Sequence, residues 1–374
     1  MRAALRRVWA IARKEGVQIV RDPSSILIGF VLPVFLTLLS GYATNLDLEG
    51  VPLGVVLEDS SPEARSLAAA FAASRSFSVR LGHDRRQMQG ELTTGGLRGV
   101  VVIPRTFTRD LARADAQAPF QILVDGAEPN TATFVQNYAR GIWLTWMTLR
   151  AREAGEGFAP PVVLAPRTWF NQDLRSLNSL LPGGIAINLT LIGALLTALV
   201  VAREWERGTM EAMLATPVTG LEMLVGKLAP YFLLGMVALG ICLALTLGVF
   251  GVPFRGSAGA LVAVSAVFLL SALGLGLFIS TVARSQFVAA QVAILSAFLP
   301  AYFLSGYVFE IAGMPWPVRL LTHAISARYY VSALKTLFLA GDAWAQLLPN
   351  MVGMAAIAAV LLGLTLWRSA RRIG

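Results

Sequence analysis

The residues that could take part in catalysis are few, and they do not form a recognisable catalytic set. His83 stands beside Asp84, but no serine or cysteine is placed to complete a nucleophilic triad, so a solvated surface pair is the better interpretation. Asp125 and Glu128 lie in VDGAEPN, which is typical of a turn at a strand end. Two histidines and the single Cys242 cannot make an ordinary structural zinc site. We therefore predict that this chain is not an enzyme.

A stretch at residues 220–228, GLEMLVGKL, superficially resembles a phosphate-binding loop. It places five residues between its two glycines where that loop requires four. Leu228 also stands where a serine or threonine would bind magnesium. No other segment is suited to hold the phosphates of ATP. We therefore predict no cofactor on this chain, and any ATP and Mg²⁺ would be bound by a separate ATPase polypeptide.

Charged residues and helix-capping signals are concentrated in segment 203–227. Glu204 and Arg207 can pair at i,i+3 on a helix. Pro217 ends that helix, because the residue before a proline is pushed out of the α region. Thr219 and Glu222 then form a T-x-x-E capping box for a second helix. This pattern predicts two short helices joined by a turn, acting either as a docking element for a soluble partner or as a solvated hairpin without one.

Long apolar runs lie on both sides of this segment and elsewhere in the chain. The 374 residues are 56% hydrophobic and 14% charged, whereas soluble domains carry about 25% charged residues. The mean hydropathy is +0.64. We predict an α-helical integral membrane protein, because each run approaches the roughly 20 residues that cross a bilayer. The six predicted spans are residues 26–44, 182–202, 228–250, 258–282, 287–309 and 347–367.

The distribution of lysine and arginine predicts the orientation of these spans. With the N-terminus inside, the short inside segments carry 13 Lys and Arg residues and the short outside segments carry 4. The inside segments are then 1–25, 203–227, 283–286 and the tail 368–374, and the short outside segments are 251–257 and 310–346. Both termini are therefore predicted to be cytoplasmic. The net charge of +9 is explained by this bias, so no nucleic-acid partner is expected.

Segment 45–181 has the composition of a folded domain outside the membrane. Strand-like stretches alternate with helix-like stretches, which predicts a compact α/β domain between the first and second spans. Residues 51–59 predict a strand followed by a turn, further strands are predicted at 77–82, 98–104 and 120–126, and the predicted helices are 61–74, 84–96 and 130–155.

Three further features concern how the membrane helices are arranged. Gly240, Ala244 and Gly248 form a small-xxx-small row, which favours close helix packing but is equally compatible with lipid contact. Residues 327–341 predict an interfacial or re-entrant helix within the outside loop. Residues 1–25 predict an interfacial amphipathic helix, whose apolar face would comprise Leu5, Val8, Trp9, Ala12, Gly16 and Ile19. The spans are nearly free of ionisable residues, which argues against an ion-driven pump.

The segment AREWERGTMEAMLATPVTGLEMLVGKLAPYFLLG, which begins at Ala202, resembles the signature region of ABC-2 type transporter permeases. Residues 270–291, 298–322 and 327–341 and the N-terminal RKEGVQIVRDP resemble the same family, closest to its bacterial multidrug-exporter-like branch. The resemblance implies a permease that dimerises and pairs with two ATP-binding subunits. It also implies an ATPase contact between the second and third spans. The matching positions are Arg203, Glu204, Glu206, Arg207, Gly208, Thr209, Glu211 and Thr216.

These observations together predict the permease subunit of an ATP-driven exporter, moving a drug-like or lipid-like amphiphile out of the cytoplasm or the inner leaflet. The expected partners are an ABC ATP-binding subunit, a second permease chain (identical or a paralogue), membrane lipid and a periplasmic adaptor. The expected location is the inner membrane of a Gram-negative cell, with several passes. The alternative is a membrane-anchored sensor or interaction protein whose outside domain binds a ligand.

Overall fold

The structure is a computed structural model that describes residues 2–43, 50–111, 120–126, 129–153, 175–209, 216, 218–283 and 285–370. The chain divides into two compact units. One unit comprises Met1–Leu46 together with Thr168–Gly374, and the other comprises Asp47–Arg167. The first is helical and contains the apolar runs. The second contains the sheet.

Six helices of the first unit are long and apolar enough to cross a membrane. We call them the first to sixth spans. They are Pro23–Ala43, Leu177–Glu206, Gly220–Gly248, Ala258–Ala283, Gln286–Leu304 and Trp344–Arg368. Their number agrees with the six predicted from apolar runs, but their ends differ. The second span is longer than predicted, and the fifth stops at Leu304 because Ser305 ends the helix and Gly306 adopts a φ of +83°.

The sheet unit has four strands in the order β2-β1-β3-β4. These strands are β1 Val51–Leu57, β2 Phe77–Gly82, β3 Gly99–Ile103 and β4 Gln121–Val124. β1 pairs in parallel with both β2 and β3, and β4 runs antiparallel to β3. The associated helices are Pro62–Ala72, Arg85–Thr93, Phe107–Leu111 and Pro129–Glu153.

Apolar side chains cover both faces of this sheet. Leu53 and Val55 point to one face, where Phe71 and Val135 complete a core. On the other face, Val100 and Val102 belong to a second core with Met88 and Leu97. Strands buried on both faces read as continuous apolar runs, which is why GVVVI in β3 has no alternation of polar and apolar residues. The unit is therefore an α/β domain, inserted between the first and second spans.

Close helix packing occurs at glycines other than those of the predicted row. A Cβ at Gly276 in the fourth span would collide with the Ala194 carbonyl and with Thr197 of the second span. By contrast, a Cβ at Gly240 or Gly248 would meet no atom of the described residues within 4 Å. The row of Gly240, Ala244 and Gly248 is exposed on the outer face of the third span. The row therefore makes no close helix contact among the residues that the structure describes.

The helix Ser326–Leu339, between the fifth and sixth spans, is largely enclosed by other helices. Tyr330, Leu334 and Phe338 are fully buried, and the helix packs against the second, fourth and sixth spans. Tyr330 stacks on Phe268 at 3.9 Å between ring centroids and shares a hydrogen bond of 2.7 Å with Ser265. This helix is therefore part of the packed core of the helical unit, and its interfacial or re-entrant placement stays a prediction.

The N-terminal helix Arg2–Arg21 packs against the third span. Its contacting side differs from the predicted apolar face, because Leu5 and Trp9 are both 63% exposed whereas Glu15 is 1% exposed. The predicted apolar face is therefore divided between protein contact and exposure, and the interfacial placement of the helix stays a prediction. Val8 and Ile19 lie on the packed side, and Leu5 and Trp9 remain available to lipid.

Candidate coupling site

The charged segment begins inside the second span, which remains helical to Glu206. The helix ends because Gly208 adopts a φ of +67°, a left-handed conformation that glycine accepts without strain. The Arg207 and Gly208 amides close this end by donating to the Arg203 and Trp205 carbonyls at 3.1 and 3.2 Å. The following turn therefore starts at a fixed position relative to the span.

The third span begins with the predicted capping box, which is confirmed. The Glu222 amide donates to Thr219 Oγ1 at 3.3 Å, and the Thr219 amide donates to Glu222 Oε2 at 3.0 Å. The helix that it starts runs without interruption from Gly220 to Gly248. The second short helix of the predicted hairpin is thus the first part of the third span. A displacement of the capping box therefore displaces the whole span.

Three ionisable side chains meet in the interior where these two spans approach the N-terminal helix. The exposures of Glu15, Lys227 and Glu204 are 1%, 2% and 4%. Lys227 forms an ion pair with Glu204, and its Nζ lies 4.0 Å from Glu15 Oε1. Each ion comes from a different helix, so their mutual attraction joins the N-terminal helix to the ends of two spans.

Two further side chains complete this buried ionic cluster. Lys14 Nζ donates to Glu15 Oε1 at 2.9 Å and to Glu204 Oε1 at 2.8 Å. Tyr231 donates to Glu15 Oε2 at 3.3 Å. The cluster therefore contains two carboxylates and two ammonium groups, and its formal charge is zero. Neutrality matters here, because an unpaired ion in a low-dielectric interior is costly by several kcal/mol.

A second ionic contact joins the second span to the first. Arg203 Nη2 donates to Asp22 Oδ2 at 2.8 Å, and Asp22 also accepts from the hydroxyl of Ser25 at 2.7 Å. Partial burial alone would raise the pKa of the Asp22 carboxyl, but the hydrogen bonds from Ser25 and Arg203 outweigh it and lower the pKa. The carboxylate is therefore ionised at neutral pH and holds the start of the first span.

The fifth span is joined to the same place through Gln286. The Gln286 backbone amide donates to Glu206 Oε1 at 2.7 Å, and its side-chain amide also donates to Glu206. Arg203 Nε donates to Gln286 Oε1 at 3.3 Å. The end of the second span is thus bonded to the beginnings of the first and fifth spans as well as to the third.

The N-terminal helix makes two direct contacts with the start of the third span. Arg7 donates to both carboxylate oxygens of Glu222, at 3.0 and 2.6 Å. Nearby, a Cβ at Gly226 would lie 2.8 Å from Ile11 Cβ and 3.2 Å from the Val8 carbonyl. Only a glycine permits this approach. The N-terminal helix therefore fits closely against the third span.

The predicted partner-contacting residues separate into two groups in the structure. Arg203 and Glu204 face the interior, and Glu204 pairs with Lys227 and Lys14 rather than with Arg207. The i,i+3 pair predicted between Glu204 and Arg207 was therefore wrong. The exposed group comprises Glu206, Arg207, Gly208, Thr209 and Thr216. Glu211 lies outside the described residues.

The sequence analysis missed the partners of this site that lie elsewhere in the same chain. They are Arg7, Lys14, Glu15, Asp22 and Lys227. The signal available for them was weak. Lys227 stands at a predicted span end, where a lysine is normally expected to reach toward headgroups. Among the residues that the structure describes, no group of three or more His, Cys, Asp or Glu side chains could hold a metal ion.

Six apolar helices define a multi-pass membrane protein, and ion pairs join the facing ends of its second and third spans to the N-terminal helix. A model of the ABC-2 family transporter protein matches residues 23–367. The chain therefore belongs to the ABC-2 transporter family. This membership favours the permease function over the alternative of a membrane-anchored sensor. No solved structure matches the chain.

Three curated relatives are similar over most of the chain. It is 46% identical over 368 residues to the probable multidrug ABC transporter permease YbhS of Escherichia coli K12, covering 98% of each chain. It is 29% identical over 357 residues to the probable multidrug ABC transporter permease YbhR of the same strain, covering 92% of this chain and 94% of YbhR. The chain is also 29% identical over 295 residues to the inner membrane transport permease YhhJ of Escherichia coli K12, covering 77% of each chain. The protein is a permease subunit of an ABC exporter, and the ATPase is a separate chain.

Proposed function

We propose that the turn between the second and third spans docks on the ATP-binding subunit and passes its movement into the membrane helices. The observation that carries this proposal is the buried ionic cluster of Glu15, Lys14, Glu204, Lys227 and Tyr231. It joins the N-terminal helix to both spans that flank the turn. A force applied to the turn therefore acts on three bonded helices together rather than on one loop.

The exposed residues of the turn are the ones proposed to touch the ATPase. Arg207 and Thr209 lie on the surface directly after the second span. Arg203 and Glu204 would act indirectly, by fixing where the turn starts. This division follows from burial, because a side chain that is only 4–6% exposed within its own chain cannot be a main contact for another protein.

We also propose the finer parts of the assembly. The turn and both termini would lie in the cytoplasm, as the lysine and arginine bias favours. The membrane would be the inner membrane, in line with the name of the relative YhhJ. ATP and Mg²⁺ would be bound by the partner ATPase. Two permease chains, identical or paralogous, would form the path, and the unit Asp47–Arg167 would meet a periplasmic adaptor. The substrate would be an amphiphile, in line with the multidrug names of YbhS and YbhR.

The test is ATP hydrolysis by each candidate ATP-binding subunit, reconstituted with the full chain in nanodiscs. Arg207→Glu places the opposite charge on the exposed turn without touching the buried ionic cluster. We expect it to weaken co-purification and to reduce permease-dependent hydrolysis by about three- to tenfold, as for an exposed interface charge. The matched control is Arg152→Glu, which reverses an exposed charge in the other unit.

Two outcomes decide the proposal. Loss of binding and stimulation in Arg207→Glu, with Arg152→Glu unchanged, supports docking at the turn. If the unaltered chain binds and stimulates the ATPase and Arg207→Glu does so equally well, the contact lies elsewhere and the docking proposal is wrong.

A further inference from the structure

A groove lies at the end of the helical unit opposite the coupling site. The fifth span starts at Gln286, which is bonded to Arg203, and ends at Leu304. Tyr307 then packs against the beginning of the second span, where a Cβ at Gly183 would lie 2.7 Å from the Tyr307 ring. Residues 303–318 are therefore near the start of the second span and far from its coupling end. In an exporter, this is the end at which substrate leaves.

The groove is an open, mostly apolar depression in the surface of the helical unit. Its volume is about 480 Å³, within the roughly 300–1,000 Å³ typical of ligand pockets. Phe303, Phe309, Met314 and Val318 supply apolar walls, and Glu310 is the one ionisable residue in its lining. Glu310 is therefore the charged group that a ligand in the groove would contact directly.

Aromatic rings stand beside this carboxylate. The rings of Phe303 and Phe309 are nearly parallel, with an interplanar angle of 16° and centroids 6.1 Å apart. Tyr302 meets Phe303 edge to face at 5.2 Å. The faces of such rings carry partial negative charge and attract cations. The aromatic walls and the carboxylate therefore favour the same kind of ligand.

The Glu310 carboxylate is not neutralised by a direct contact. It accepts no hydrogen bond and forms no ion pair with the residues that the structure describes. Lys335 is near enough to feel its charge, but Lys335 Nζ donates to the Gly306 carbonyl at 3.0 Å. Burial lowers the pKa of Lys335, and the charge of Glu310 opposes that shift. Arg319 donates instead to the Ala312 and Met314 carbonyls, at 2.7 and 3.3 Å.

We propose that this groove is a release-side binding site for amphiphilic organic cations. The cationic centre would lie at Glu310 and the apolar groups between Phe303, Phe309 and Met314. The proposal rests on the exporter function given above, because that function makes the end opposite the coupling site the release side. It names a substrate class by charge, which membership of the family does not do.

The test uses two probes of nearly the same shape and opposite charge, tetraphenylphosphonium and tetraphenylborate. Saturable binding of each radiolabelled probe is measured separately on the full chain in nanodiscs of zwitterionic lipid. Glu310→Gln removes the charge and keeps the shape. We expect it to raise the Kd for tetraphenylphosphonium about three- to fivefold, the effect of losing one exposed charge contact. Binding of tetraphenylborate should stay equal or become tighter.

Two further variants test whether the effect is specific to the groove. Glu153→Gln removes an exposed carboxylate from the other unit and should leave both Kd values unchanged. Phe309→Leu keeps an apolar wall but removes the ring, and it should weaken tetraphenylphosphonium binding about two- to threefold. Size-exclusion chromatography and stimulation of the ATPase by each variant show whether it is folded and still coupled.

The outcomes separate this proposal from the exporter function. If Glu310→Gln binds tetraphenylphosphonium as tightly as the unaltered chain, or weakens both probes equally, the groove does not select cations and the proposal is overturned. Stimulation of the ATPase would be unaffected by that result, so coupling at the other end would stand. If the unaltered chain stimulated no candidate ATPase, that result would instead contradict the docking proposal.

Discussion

Replacing Lys227 with methionine tests the buried ionic cluster directly. The substitution removes one of the two ammonium groups of the cluster and leaves Lys14 as the remaining one for Glu15 and Glu204, which are 1% and 4% exposed. Removing one partner of a buried ion pair typically costs about 3–5 kcal/mol. Lys14 still bonds both carboxylates, but its side chain is 47% exposed, so solvent weakens its compensation. We therefore expect a loss of about 3 kcal/mol for Lys227→Met.

The assay is the thermal midpoint of the purified full chain in detergent, read alongside permease-dependent ATP hydrolysis. A loss of this size corresponds to a shift of about 5–10 °C for a large domain. The matched control is Lys14→Met, which removes a lysine that contacts the same carboxylates from a half-exposed position. We expect it to cost about 1 kcal/mol or less, because water can replace its ammonium group.

Charge balance provides a stricter test than the single variants. Glu204→Gln combined with Lys227→Met removes one charge of each sign and restores a neutral cluster. We expect the double variant to be more stable than the sum of the two single changes predicts, by about 1–3 kcal/mol. If the two effects simply add, or if Lys227→Met costs no more than Lys14→Met, the cluster does not bind these helices together as inferred here.

Two other predictions concern packing and pH. Gly276→Ala should cost at least about 2 kcal/mol, because its Cβ would collide with the Ala194 carbonyl, whereas Gly240→Ala should be neutral or stabilising; the same thermal midpoints check both. In the sheet unit, burial would raise the pKa of the Asp59 carboxyl, but hydrogen bonds from Ser61 and Thr108 outweigh it and hold this pKa below the ordinary 3.8. The ionised carboxylate therefore stabilises the folded unit above pH 3.8, and this stabilisation is lost as the pH falls through the lowered pKa. Asp59→Asn should therefore destabilise the unit by about 1 kcal/mol at pH 7, and hydrogen exchange of β1 and β3 should show the difference vanishing in acid.

The apolar runs and the capping box were predictable from the sequence because both are local properties. A run of about 20 apolar residues needs a bilayer or a core whatever surrounds it, and Thr219 and Glu222 bond each other across three residues. The four strands were predictable for the same reason, since β3 is an apolar stretch between a glycine-rich turn and a proline.

The ionic cluster was not predictable, because its members are distant in sequence. Glu15 and Lys227 lie on different helices, and nothing in their neighbouring residues indicates that they face each other. The small-residue row failed for a related reason. A spacing of four places Gly240, Ala244 and Gly248 on one face of a helix, but what that face meets is decided by tertiary packing. Leu5 and Trp9 likewise form an apolar face without indicating whether it meets protein or lipid.

The two ends of the helical unit are connected through the fifth span, which is the shortest of the six. Its first residue, Gln286, is bonded to both Arg203 and Glu206 at the coupling site, and its last turn carries Phe303 into the groove of Glu310. Between them, residues Ile294–Phe298 form a π-helical turn, a feature that recurs at functional positions in helices. A displacement of the turn must act on the fifth span, because Glu206 holds Gln286 by two hydrogen bonds. We therefore expect the groove to change shape when the turn moves, which is the coupling between energy input and release that an exporter requires.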